Sequence, residues 1–221
     1  MSMDVGLLIL RVVIGSLFVA HGAQKLFGWF GGHGLDGTGG FFESIGYRPG
    51  RSHAAVAGAV EATAGLLLVV GLFTPLASAA IIGVMLNAIV AVHWPRLWST
   101  EGGIEYPLVA AATAACLAFT GAGVASLDHA VGLDLDGPLW GFLGLFLGVI
   151  VGGILLAVRE THLIDELLDE TVEGAVYEDV YDDDVYDDDD VYGEADVSSD
   201  AAADYGASAG SEAGGRGARW P

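Results

Sequence analysis

Five apolar runs, each long enough to cross a bilayer, constrain this chain more than any other feature; they cover about residues 5–26, 54–72, 76–92, 106–123 and 139–158. A hydrocarbon core of about 30 Å takes roughly 20 apolar residues per helix, and only segments that satisfy their own backbone can span it. The expected fold class is therefore all-α, an integral membrane helical bundle. Composition agrees, with 53% hydrophobic residues and a mean hydropathy of +0.55 despite a very acidic C-terminal third. The first run is expected to be retained as a helix. It lacks a basic leading region, carries Arg11 inside its apolar stretch and has no clear small-x-small cleavage site.

Charge separates the chain into two unlike parts. Residues 1–159 hold nine acids against six Lys and Arg, a net charge of −3, whereas residues 160–221 hold twenty acids against two arginines, −18. No basic surface exists to neutralise phosphates, so nucleic acid is not an expected partner. Within the acidic part, Leu163, Ile164, Leu167, Leu168 and Val172 share one helical face, which predicts a juxtamembrane amphipathic helix over 160–174. From 175 to 221 the chain repeats Val-Tyr at 176, 180, 185 and 191 between acidic runs. That composition cannot offset the entropy of ordering, so a disordered tail is expected, either simply solvated or able to bind a basic soluble protein.

The basic residues also suggest an orientation. Lys25, Arg48, Arg51, Arg96 and Arg159 fall at one side of the runs, and Asp4, Asp128, Asp134 and Asp136 at the other. The positive-inside rule then places the protein in the cell membrane with its N-terminus outside and its tail in the cytoplasm. Trp29, Trp94, Trp98 and Trp140 fit interfacial anchors in contact with membrane lipid.

Glu61 lies near the middle of the second run. An ionisable group at that depth costs roughly 2.5 kcal/mol or more unless a partner meets it. At about 1.5 Å per residue, Glu61 and Asn87 both fall roughly 16 Å from the outer surface, Arg11 roughly 9 Å from it, and His21 about one turn inward of Glu61. Arg11, Gly15, Phe18, His21, Gly22 and Lys25 share one face of the first helix, while Gly58 and Gly65 flank Glu61, and Gly83 precedes Asn87 by one turn. Small residues let membrane helices approach closely. The first three helices are thus expected to enclose Arg11, His21, Glu61 and Asn87, with Arg11 reaching Glu61. Such a set can fix helix register alone, or it can form a functional site.

A second group, His21, Lys25, His53, His93, Glu101, Glu105 and Tyr106, is expected at the inner surface. Its spacing offers no two-ligand pair on one helix, so no metal site is assigned. Cys116 is the only cysteine. Redox chemistry would therefore need a quinone, haem or other bound group, or a partner's thiols. The Gly-rich connection 28–52 has no phosphate-loop pattern, and Phe41, Phe42 and Ile45 suit a short interfacial helix at a cavity mouth or a loop anchored in headgroups.

Several of these stretches together carry a family resemblance. Leu10-Arg11, His21-Gly22-Ala23-Gln24-Lys25-Leu26-Phe27-Gly28, Phe41-Phe42-Glu43-Ser44-Ile45-Gly46, Glu61-Ala62-Thr63-Ala64-Gly65 and Gly71-Leu72-Phe73-Thr74-Pro75 resemble the DoxX family. Glu105-Tyr106-Pro107-Leu108, Thr120-Gly121 and Ser126-Leu127-Asp128 extend the likeness, which covers about residues 5–135. It implies a four-helix membrane core over 1–135, to which this chain adds a further transmembrane helix over 136–159.

The resemblance also implies a link to redox metabolism, as a membrane subunit of a quinone-linked oxidoreductase system concerned with thiosulfate or oxidative stress, with a redox partner subunit as electron donor. On that reading a quinone headgroup sits between His21 and Glu61, which exchange protons. Lys25 and Tyr106 stand at its mouth, and Arg11 and Asn87 hold Glu61. Two other readings stay open: a non-enzymatic scaffold for a soluble partner, and a small proton-coupled transporter with Glu61 as its coupling acid.

Overall fold

The computed structural model describes residues 2–181; the acidic tail beyond them lies outside the described residues. The chain divides into a unit of Met1–Tyr177 and a second of Glu178–Pro221, of which only the end of one helix is described. The described residues form helices without strands: α1 (Ser2–Phe27), α2 (Gly34–Ser44), α3 (Gly50–Val70), α4 (Thr74–Ala88), α5 (Glu105–Thr120), α6 (Leu127–Ala130) and α7 (Pro138–Tyr181). Four apolar stretches have the length and composition to cross a membrane: Met3–Phe27, Gly50–Val70, Thr74–His93 and Pro138–Asp169. The fourth expected span, 106–123, is α5, apolar but shorter at 16 residues.

Glycine sets how closely α1 and α3 approach. A Cβ added to Gly15 would lie 2.5 Å from the Gly65 carbonyl oxygen, and one added to Gly22 would lie 2.5 Å from that of Gly58. The two contacts run in opposite directions along the two helices and sit two turns apart, so the pair is antiparallel and in one register. This packing turns the shared face of α1 toward α3, burying Arg11 and Phe18.

Between α3 and α4 the chain turns in three residues, Gly71, Leu72 and Phe73. Gly71 takes a left-handed conformation (φ 68°), and the Leu72 and Gly71 amides return to the carbonyls of Leu67 and Leu68, closing the end of α3. Phe73 also has positive φ, 48°, a conformation uncommon outside glycine. It is held by a distant residue: Asp128 accepts hydrogen bonds from the Phe73 amide (2.8 Å), the Thr74 amide (3.2 Å) and Thr74 Oγ1 (3.0 Å). A carboxylate on the first amides of α4 satisfies donors that no helical carbonyl can reach.

A parallel glycine contact joins α4 to α7. Gly144, Gly148 and Gly152 lie against Pro75, Ala79 and Gly83, both sets spaced by four residues. The Asn87 amide reinforces this crossing by donating to the Gly83 and Gly152 carbonyls at 2.9 and 3.1 Å. Gly83 therefore opens α4 toward α7, whereas the sequence reading had it close a three-helix site with α1 and α3. The α7 helix also differs from expectation. The span expected over 136–159 and the amphipathic helix expected over 160–174 fall in one helix, and most of the tail expected over 175–221 lies outside the described residues. Arg159 explains part of this extension, because its Nε donates to the Ile45 carbonyl (2.6 Å) and ties α7 to the turn after α2. The core is built from Phe18, Leu68, Ile81 and Leu117, while Ile9, Leu66, Val109 and Ile150 face outward, as lipid-exposed side chains do.

Candidate functional site

The residue that meets Glu61 is Lys25. Its Nζ lies 2.6 Å from Glu61 Oε2, with the Lys25 side chain 23% exposed and that of Glu61 4%. The long lysine stem reaches from near the end of α1 into the span, and packing of Gly22 against Gly58 brings the two backbones close enough for this. One turn before Lys25, His21 Nε2 is 3.1 Å from the Tyr106 hydroxyl, and its Nδ1 is 3.0 Å from Gln24 Oε1. The Gln24 amide nitrogen donates to the Phe30 carbonyl (3.2 Å), which orients Oε1 as the acceptor. A neutral His21 then carries its proton on Nδ1 and accepts from Tyr106 on Nε2. Two polar pairs, Lys25–Glu61 and His21–Tyr106, thus stand side by side.

Both pairs line a cavity of about 980 Å³. Its walls come from α3, α4 and α7 and are largely alanine, valine and leucine, with Phe41, Phe42 and Ile45 at one end. Opposite His21 and Glu61, the Tyr47 hydroxyl donates to Asn87 Oδ1 at 2.6 Å, and His53 packs on the Tyr47 ring with centroids 5.4 Å apart. Burial raises the Tyr47 pKa, with the Arg159 charge pulling the other way, so the phenol stays a donor at neutral pH. The position of α2 is set where its Gly39 abuts Gly50 and where Glu43 accepts from the Gly50 amide (3.0 Å).

Of the six residues expected at the site, the fold gathers five around this cavity: His21, Lys25, Glu61, Asn87 and Tyr106. Asn87 shares the cavity, but its hydrogen bonds go to Tyr47, Gly83 and Gly152 and not to Glu61. Arg11 is elsewhere. Its guanidinium donates to the Ala125 carbonyl (2.6 Å) and the Leu68 carbonyl (3.3 Å) and packs against Gly71, toward the opposite end of the bundle. The expectation that Arg11 holds Glu61 is overturned by the direction of its side chain, which depth along the helix does not reveal.

His53 and His93 line the cavity as well. Glu101 and Glu105 stay outside it, with Glu105 accepting from the Ser99 amide and hydroxyl. Sequence reasoning did not single out Tyr47; the available signal was its place directly after Phe41–Gly46. It also gave Asp128 and Thr74 no function, although both lie in quoted motifs.

These features define a multi-pass membrane protein whose helices line a cavity that is apolar along its walls and polar at one end. The DoxX family model matches residues 6–94. A Bacillus subtilis (strain 168) protein named "Putative oxidoreductase CatD" is 31% identical over 127 residues, which cover 58% of this chain and 87% of that protein. The chain belongs to the DoxX family. No solved structure matches it.

Proposed function

We propose that this protein is the membrane subunit of a quinone-linked oxidoreductase system, and that it binds the quinone ring at the polar end of the cavity. The observation that carries this reading is the placement of His21–Tyr106 beside Lys25–Glu61 on one apolar cavity. Small-molecule sites typically combine a mostly apolar wall with a few convergent polar groups. The fit to a quinone is chemical: Tyr106 and Lys25 can donate to ring oxygens, and the walls accept an apolar ring. Such a ring supplies two-electron, two-proton acceptor chemistry when bound.

In this reading the chain's own residues orient the ring and move protons. Tyr106 turns its hydroxyl from His21 to a ring oxygen and delivers its proton there, and His21, held by Gln24, takes up a proton from water on Nε2 and returns it to the phenolate. The Lys25–Glu61 pair serves the other side of the ring. Positioned acids and bases of this kind commonly accelerate proton transfer by about 10²–10⁴-fold. Electrons come from a partner redox subunit, since a lone cysteine supplies no dithiol. The basic end faces the cytoplasm on the same reading, with the acidic tail there to bind a basic protein.

The test is binding of tailless 2,3-dimethoxy-5-methyl-1,4-benzoquinone to the protein in lipid nanodiscs, compared with Tyr106→Phe and His21→Ala. Stoichiometric binding that weakens at least tenfold in both variants is expected. Equal binding by all three proteins, or none by any, removes this reading.

A further inference from the structure

The cavity is not enclosed within the bundle. Val56, Leu76, Leu147 and Val151 line it and are also 61%, 55%, 42% and 43% exposed. All four lie in membrane-spanning stretches. Their exposure therefore marks an opening at bilayer depth, where the medium is hydrocarbon.

The cavity is also graded along the membrane normal. Its polar side chains, Lys25, Tyr47, His53 and Tyr106, come from segments near the basic end of the spans. Past Glu61 and Asn87 the lining is apolar apart from Thr63, ending at Leu67, Leu76 and Leu147 near the acidic end. From Val56 to Leu67 the α3 wall runs eleven residues, about 16 Å at 1.5 Å per residue. On the facing side Leu147, Val151 and Leu155 recur every four residues and form one stripe of α7. That stripe is held in place by the Gly144–Gly148–Gly152 contact with α4 on the adjacent face.

We infer that this graded slot between α3 and α7 binds a membrane-resident amphiphile, taken up sideways from the bilayer with its polar head at Lys25 and Tyr106 and its apolar tail along Leu67, Leu76 and Leu147. Three observations favour this occupant over a water-soluble one. A volume of about 980 Å³ is far larger than one ring needs, which leaves a length of apolar slot for a tail. The exposed lining lies within spans. The polar-to-apolar direction matches a lipid of the leaflet at the basic end, so such a molecule enters without turning over. This inference deepens the quinone reading, on which its choice of head rests, while the tail groove stands on the cavity's own geometry. The α7 helix, which lies beyond the residues the family model matches, supplies one wall and so helps to set which tails fit.

The test uses two photoreactive probes on the wild-type protein in nanodiscs: a 1,4-benzoquinone with a ten-carbon diazirine-bearing tail, and a phosphatidylcholine with a diazirine in one acyl chain. Adduct positions are read by mass spectrometry. Quinone-probe adducts are expected at Leu67, Leu76, Leu147 and Val151, enriched at least fivefold over outward residues such as Ile9 and Val149. Excess unlabelled decyl-benzoquinone is expected to displace them, and the tailless quinone to do so far less. If only the phosphatidylcholine probe labels the slot, the tail groove stands and the quinone reading falls. If neither probe enriches there, the lateral groove is overturned, whatever the tailless quinone does at the polar end.

Discussion

Lys25 and Glu61 form an ion pair of 2.6 Å between α1 and α3, with the carboxylate almost wholly buried and the ammonium partly so. The pair lets a membrane span carry an acid at mid-depth, because the charge is matched by a lysine whose stem covers apolar surface on the way. It also couples stability to the site, since the same two side chains line the cavity.

Glu61→Gln leaves Lys25 without its counter-charge. Removing one partner of a buried pair commonly costs about 3–5 kcal/mol, and the 23% exposure of Lys25 lowers the expected loss to about 2 kcal/mol. The double variant Lys25→Gln, Glu61→Gln replaces the ions with two amides that can still hydrogen-bond, and it should recover most of that loss. Denaturant unfolding in mild detergent measures both. A double variant no more stable than Glu61→Gln would show that the charges are not coupled.

Gly22→Ala and Gly6→Ala should move stability in opposite directions. A Cβ at Gly22 would lie 2.5 Å from the Gly58 carbonyl oxygen and 2.7 Å from the Ala62 amide nitrogen, so α1 and α3 must separate. Overpacking of this kind costs about 1–3 kcal/mol. Nothing lies within 4 Å of a Cβ at Gly6, where helix propensity alone favours alanine by about 1 kcal/mol. Thermal unfolding of the two variants checks the register of the α1–α3 contact, and similar shifts would contradict it.

The helices and the polar face of α1 could be read from the sequence because both depend on periodicity and hydropathy, which are local. The antiparallel contact was half legible: Gly15, Gly22, Gly58 and Gly65 stood out, but not which pairs meet. Depth along a helix placed Glu61 and Asn87 in one layer correctly enough for both to line the cavity. It could not say which way a long side chain leans, so Arg11 was matched to Glu61 while Lys25 reached it instead. The length of α7 was missed for a different reason. Hydropathy marks where lipid ends, whereas the helix ends where its backbone stops being satisfied, and Arg159 and Leu163 carry contacts to Ile45 and Gly46 beyond the apolar run. Tyr47 and Asp128 act over 40 and about 55 residues of separation, and no local pattern signals such pairings.

Asp128→Ala should lower stability without changing ligand binding. It removes three hydrogen bonds that hold the left-handed Phe73 and the start of α4, at about 1 kcal/mol each, or roughly 3 kcal/mol in all. The Arg11 guanidinium lies at that same end of the bundle, away from Lys25 and Tyr106. Unfolding and benzoquinone binding measured on one preparation separate the two effects. Binding that weakens in proportion to the stability lost would place the Arg11 end in the site after all.

Tyr47→Phe should alter the alkaline limb of stability most. The buried phenol has a pKa above its ordinary value of 10.0, so the folded state holds the proton more tightly than the unfolded chain. That contribution is present in full below about pH 10 and is lost as pH rises through the folded-state value. At neutral pH the variant loses only the bond to Asn87, about 1 kcal/mol. Above pH 10 the wild type should decline more steeply than the variant, and the two curves should converge. Thermal midpoints from pH 8 to 11 report this, and curves that fall in parallel would mean that Tyr47 does not titrate against its burial.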